Sequence, residues 1–113
     1  MTGPEPTSAV IVLTTLAADA DALALGRTLV EEQLAACVNI LPAMQSVYRW
    51  DGEIRTEPEQ QLVIKTTAAR LDALTARLLA LHPYDTPELL VLDADGSDAY
   101  LRWVGEMTTP GGS

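Results

Sequence analysis

The sequence predicts a single α+β domain in which strands and helices follow in the order β-α-β-β-α-β-α. Three observations lead to this prediction: short apolar runs typical of strands, two amphipathic stretches with helical spacing, and the turn signal Asp51-Gly52. A chain of 113 residues suits one domain that buries its own core. We expect that domain to span residues 8–107, between disordered tails at 1–7 and 108–113.

The first part of the chain predicts a strand, a helix and a second strand. Residues 9–13 are all apolar and mostly β-branched, which is typical of a strand covered on both faces. Asp19 can cap the following helix, whose apolar residues form adjacent rows over 22–34. Residues 37–41 have strand composition, and Pro42 should end regular pairing there because proline has no backbone donor.

A long, bent hairpin is predicted for the middle of the chain, formed by the second and third strands. Extended structure resumes at 46–50, and Asp51-Gly52 suits a two-residue type I′ turn with positive φ at both positions. The chain then returns antiparallel over 53–67. Pro58 is expected to break regular pairing midway and so to bend the hairpin.

The second half predicts a helix, a strand and a final helix. Thr67 can cap a helix whose leucines recur at helical spacing over 71–81 and which Pro83 ends. An apolar strand follows at 89–92, and Ser97 can cap the last helix. Two right-handed β-α-β units place both crossover helices on one face of a four-stranded sheet. This is the ferredoxin-like βαββαβ arrangement with an extra C-terminal helix.

The composition excludes several classes of partner. Sixteen acidic residues against 7 basic ones give a net charge of −9, which repels phosphate backbones and anionic lipid, so we expect no nucleic-acid partner. No apolar run approaches the roughly 20 residues of a membrane helix, so we expect no membrane insertion. The first seven residues lack a basic and apolar leader, and the single Cys37 excludes an internal disulfide. A cytoplasmic location is therefore expected.

The sequence carries no catalytic signature, so we expect a binding or assembly protein and not an enzyme. It has no G-x-S-x-G elbow, phosphate-binding loop or dinucleotide fingerprint. One cysteine and one histidine are too few for a soft-metal site within one chain, and His82 can equally interact with the carbonyls that end its own helix. Four carboxylates could pair or could be solvated, and the sequence does not distinguish these alternatives: Glu57, Glu59, Asp85 and Glu88.

Two aromatic residues predict an interface between subunits. Tyr48 and Trp50 fall on the same side of the hairpin arm, which a domain of this size cannot fully cover. An isolated pair of strands is marginally stable in water, so another surface should support the arm. The alternative is that both rings lie over the domain's own final helix.

Four motifs carry a resemblance to a known family. They are 34–39 (LAACVN), 48–52 (YRWDG), 59–66 (EQQLVIKT) and 82–88 (HPYDTPE). In this order they resemble the CutA divalent-cation tolerance family, over about residues 9–104. The resemblance implies a ferredoxin-like subunit in a tight homotrimer whose sheets are joined by the long hairpins. The implied assembly is similar to that of the trimeric PII signalling proteins, which bind small molecules between subunits.

The resemblance also implies a metal function and a ligand site. The family is linked to tolerance of copper and other divalent metals, and its proposed copper ligands fall on Thr14, Leu81 and His82. Of these three side chains, only His82 is a metal ligand, so the implied copper site is weak.

The implied ligand site is an inter-subunit cleft lined by Glu59, Lys65, His82 and Tyr84. Two function classes remain open after the resemblance is taken into account. The first is a homotrimeric metal-tolerance or ligand-sensing module that binds a divalent cation or a small molecule. The second is a structural scaffold, or a PII-like sensor of small molecules without specific metal binding.

Overall fold

The computed structural model describes residues 8–111, and the predicted tail at 1–7 lies outside them. The chain follows the order β1 (Ala9–Ala17), α1 (Ala22–Glu31), β2 (Cys37–Ile40), β3 (Met44–Trp50), β4 (Glu53–Thr67), a 3₁₀ turn (Ala68–Arg70), α2 (Leu71–Leu81), β5 (Leu90–Ala94) and α3 (Asp98–Met107). The predicted α+β fold with three helices is confirmed.

All strand pairs of the sheet are antiparallel, in the order β2-β4-β1-β5, with β3 paired to the first half of β4. β1 is central, as its apolar run predicts. β4 is continuous over 15 residues, so the predicted break at Pro58 is wrong. Pro58 lies where β4 passes from pairing with β3 to pairing with β1. Its carbonyl still accepts a hydrogen bond, from the N–H of Ala18 at 3.1 Å.

The core lies between one face of the sheet and the helices α1 and α2. Alternate residues of a strand point to opposite faces, and Val12 of β1 and Ile64 of β4 pack on this face against Leu29 of α1 and Leu78 of α2. All four side chains are fully buried. The opposite face is covered less completely, since β1 residues on that side, such as Leu13, are only half-buried.

The helix ends match the predicted signals in part. Asp21, and not Asp19, caps α1, since its carboxylate accepts a first-turn N–H at 3.0 Å. Thr67 precedes the 3₁₀ turn, but its side chain makes no capping bond. Pro83 follows the end of α2 as expected, and the Ser97 hydroxyl caps α3 by accepting an N–H at 3.4 Å.

The packed structure continues beyond the predicted domain end at residue 107. Thr108 is buried, and its hydroxyl donates to the carbonyl of Val104 at 2.8 Å and lies 3.5 Å from the hydroxyl of Thr67. The N–H of Gly111 donates to Gln33 Oε1 at 3.0 Å. Thr108 and Gly111 therefore contact the domain, and the last residues of the predicted tail, 112–113, lie outside the described part.

Candidate functional site

The candidate site is a cavity of about 490 Å³ that lies along one face of the arm formed by β3 and β4. The end of β1 contributes Thr15, the arm contributes Tyr48 and Trp50, and the loop after α2 contributes Tyr84 and Asp85. Three separate parts of the chain thus meet around one space. Its volume is in the range of ordinary small-molecule sites.

The hairpin turn explains why the arm residues converge. Asp51 has φ of 56° and Gly52 has φ of 77°, so the predicted turn with two positive φ values is confirmed. A two-residue turn fixes the register, which places Tyr48 opposite Arg55. Because side chains alternate along both strands, the aromatic rings of β3 share a face with Glu57 of β4.

Tyr84 joins the loop to the arm through a hydrogen bond. Its hydroxyl donates to Glu59 Oε2 at 2.8 Å. Burial raises the pKa of Tyr84, and the hydrogen bond and charge of Glu59 raise it further. The pKa of Tyr48 is also raised, first by burial and then by Glu57, while Arg55 acts in the opposite direction. Both shifts indicate that this space disfavours additional negative charge.

His82 lies behind the cavity wall and holds the loop against β1. Its Nδ1 accepts the N–H of Tyr84 at 3.1 Å, so Nε2 carries the proton and donates to the carbonyl of Thr15 at 2.8 Å. The ring is buried, and its centre is 4.9 Å from that of Tyr84. The imidazole thus binds a carbonyl of β1 and not those of its own helix. A metal ion would have to displace one of these two partners.

The carboxylates that the sequence could not classify gather at this site. Its walls include Glu57, Glu59, Asp85 and Glu88, and within residues 8–111 Arg55 is the only basic side chain among them. Glu88 Oε2 also accepts a hydrogen bond from Gln61 Nε2 at 2.9 Å. No three histidine, cysteine or acidic side chains of the described chain are close enough to hold a metal ion.

The four residues expected in one cleft are only partly together. Glu59 and Tyr84 are bonded to each other, and His82 is directly behind Tyr84. Lys65 is apart, because it lies six residues along β4 from Glu59, which is about 20 Å at the rise of a strand. Within one chain Lys65 is therefore not part of this site. Thr14, at the first position implied for copper, is fully buried.

The arm aromatics line the cavity and leave much of their surface exposed. Tyr48 is 38% exposed and Trp50 is 51% exposed. They lie beside the loop residue Tyr84, whereas α3 packs on β1 and on β4, where Thr108 meets Thr67. The alternative in which the two rings cover the final helix is thus wrong, and their role at a subunit interface stays a prediction.

Sequence reasoning missed the contribution of Thr15 and the shared position of the four carboxylates. The register set by Asp51-Gly52 was a usable signal, because counting back from the turn places Tyr48 and Glu57 on one face of the arm. No comparable signal exists for Thr15, whose carbonyl meets His82 across 67 positions of sequence.

Comparison with known proteins gives a consistent result. Residues 10–107 match the family model described as CutA1 divalent ion tolerance protein. The chain is 44% identical over 99 residues to the divalent-cation tolerance protein CutA of Thermus thermophilus, a match covering 87% of this chain and 96% of that protein. The corresponding protein of Pectobacterium atrosepticum is 45% identical over 97 residues, covering 85% of this chain and 88% of the relative.

Solved structures agree with the sequence relatives. CutA from Synechococcus elongatus has a TM-score of 0.85 and 41% identity, with 94% of each chain covered. CutA from Xylella fastidiosa has a TM-score of 0.85 and 40% identity, with 90% of this chain and 99% of that chain covered. Within residues 8–111, no helix is both long enough and apolar enough to cross a membrane.

Proposed function

Because the chain belongs to the CutA1 divalent ion tolerance family, we propose that it acts in divalent-cation tolerance or response as a homotrimer. In this proposal the ligand site is the cavity beside the β3–β4 arm, completed by a neighbouring subunit. The observation that carries the assembly is the arm itself: it extends from the sheet and exposes Val47 by 69% and Ile54 by 62%. Such apolar surface is typical of an interface.

The sheet edges support the same assembly. β5 is one edge, and its Leu90 and Leu92 are 53% and 51% exposed. β2 is the other edge, where Ile40 is 37% exposed. Apolar edge strands readily pair with another chain, and a closed ring of copies covers both edges of every subunit. The strand order β2-β4-β1-β5 is compatible with the ferredoxin-like subunit of the proposed PII-like trimer.

Direct copper binding is the weaker part of the proposal. A copper ion at His82 must break the bond to Thr15 or to Tyr84 and must find further ligands among carboxylates or on a neighbouring His82. We therefore expect copper to bind weakly. The second candidate is a scaffold or a PII-like sensor without specific metal binding. It is favoured because both ring nitrogens of His82 already have hydrogen-bond partners. In both cases we place the protein in the cytoplasm and assign it no catalysis.

Titration with divalent copper tests the metal proposal. Isothermal titration at neutral pH should give weak copper binding to the unaltered protein and no stoichiometric copper binding to His82→Ala. Light scattering should give the same mass for both proteins. The reason is that one imidazole per chain supplies the nitrogen ligand. Submicromolar copper affinity that survives in His82→Ala would contradict this placement, and Cys37 would become the next ligand to test.

A further inference from the structure

We propose that the cavity along the β3–β4 arm binds an organic cation with several ammonium groups, of the chemical class of the aliphatic polyamines. The inference rests on the proposed ligand site and adds its ligand class. Every residue that carries it belongs to one chain, and in the proposed trimer a neighbouring subunit completes the walls.

Aromatic rings form one part of the argument. Tyr48, Trp50 and Tyr84 all line the cavity, and the two arm rings are 38% and 51% exposed. The face of an aromatic ring attracts a cation, with indole the most effective. The same rings also cover methylene groups, so a chain of methylenes between ammonium groups suits these walls.

The charge of the walls points to the same class. Glu57, Glu59 and Asp85 line the cavity together with Glu88, against a single basic side chain, Arg55. Arg55 lies 3.7 Å from Glu53, which offsets part of its charge. Burial is the main cause of the raised pKa of Tyr48 and of Tyr84, and the charges of Glu57 and Glu59 raise both pKa values further. A cationic ligand is therefore favoured over an anionic one.

The size and spacing of the site separate an organic cation from a metal ion. A space of about 490 Å³ fits a small molecule and is far larger than a bare ion. Within residues 8–111, no three acidic, histidine or cysteine side chains are close enough to coordinate a metal. A flexible polyamine can instead place separate ammonium groups near separated carboxylates.

An anionic ligand at Arg55 is the competing hypothesis. The buried Nε of Arg55 has no hydrogen-bond acceptor among the described residues, so an anion could pair with it. The experiment therefore includes ATP as an anionic probe beside spermidine as the cationic one.

The test uses Trp50 as a reporter inside the site. Trp103→Phe leaves Trp50 as the only tryptophan, and spermidine should change its emission in a saturable way with one molecule per chain. Replacing Glu57 and Asp85 together by Gln and Asn should weaken binding about fivefold or more, because two charge pairs are lost. Glu106→Gln, an exposed change on α3 away from the cavity, should leave the affinity unchanged.

The outcomes are distinguishable. The inference is overturned if spermidine does not bind, or if its affinity is the same for the cavity variant and the unaltered protein. It is also overturned if affinity falls with the net charge of each variant wherever the change lies. ATP that changes the Trp50 emission where spermidine does not would overturn it as well. Melting curves of each variant identify one that has not folded, and Glu57→Gln alone then replaces the double change. Light scattering on the same samples separates the two proposals: a monomer that binds spermidine contradicts only the assembly, and a trimer that does not bind it contradicts only this inference.

Discussion

At the scale of residues, a short chain of contacts connects three parts of the fold. Thr15 of β1 accepts from His82, the ring of His82 accepts from Tyr84, and Tyr84 donates to Glu59 of β4. The sequence identified His82 and Tyr84 as site residues from their motif. It could not predict that both nitrogens of His82 bind backbone, because one partner is 67 positions away.

Tyr84 predicts a pH dependence of stability. Its pKa is raised in the folded protein, so the folded state favours the neutral phenol. The contribution is complete below the unfolded pKa of about 10 and is lost as the pH rises through the folded value. We expect the free energy of unfolding, measured by urea between pH 8 and 11.5, to fall above pH 10 more steeply in the unaltered protein than in Tyr84→Phe.

Tyr100 supplies the control for this comparison. It is 43% exposed on α3 and is not part of the cavity, so Tyr100→Phe should retain the pH profile of the unaltered protein. Identical slopes above pH 10 for the unaltered protein and Tyr84→Phe would show that burial and the contact with Glu59 do not favour the neutral phenol of Tyr84.

At the scale of elements, local signals predicted the turn and the strands but not every boundary. Asp51-Gly52 and the break at Pro42 are as expected, because both depend on backbone geometry close in sequence. Pro58 and Asp19 were misassigned, since tertiary pairing decides whether a proline fits a strand and which of two acids caps a helix. Lys65 lies far from Glu59 along β4 within one chain, and its place in a cleft between subunits stays a prediction.

The arm should be sensitive to its turn. Gly52 has φ of 77°, which a residue with a Cβ adopts at a cost of about 1 kcal/mol, so Gly52→Ala should lower the melting temperature. The matched control is Gly105→Ala inside α3, where, apart from the adjacent residues and the helix's own backbone, no atom of residues 8–111 lies within 4 Å of the added Cβ, so the change should raise the melting temperature slightly. Thermal unfolding followed by circular dichroism measures the change in melting temperature of each variant, which should be negative for Gly52→Ala and positive for Gly105→Ala. Equal shifts in the same direction would contradict the role given to the turn.

At the scale of the whole molecule, the strand and helix order predicted an α+β fold with three helices, although the sheet has five strands and not four. The sequence did not predict the cavity, because its walls form only when β1, the arm and the loop after α2 are packed together. The sequence also predicted an unsupported arm from Tyr48 and Trp50, and the structure adds exposed apolar surface at both sheet edges. Together these features are the basis of the proposed association of a chain with charge −9 with its own copies.

Light scattering coupled to gel filtration tests this central claim most directly. At micromolar concentration the chain of 12.1 kDa should elute with about three times that mass, since association covers the apolar edges and the arm. Trp50→Ala should shift the equilibrium toward smaller species if the ring is an interface anchor, with a loss of about 2 kcal/mol or more. A monomer mass for the unaltered protein at this concentration would contradict the assembly and the cleft built on it.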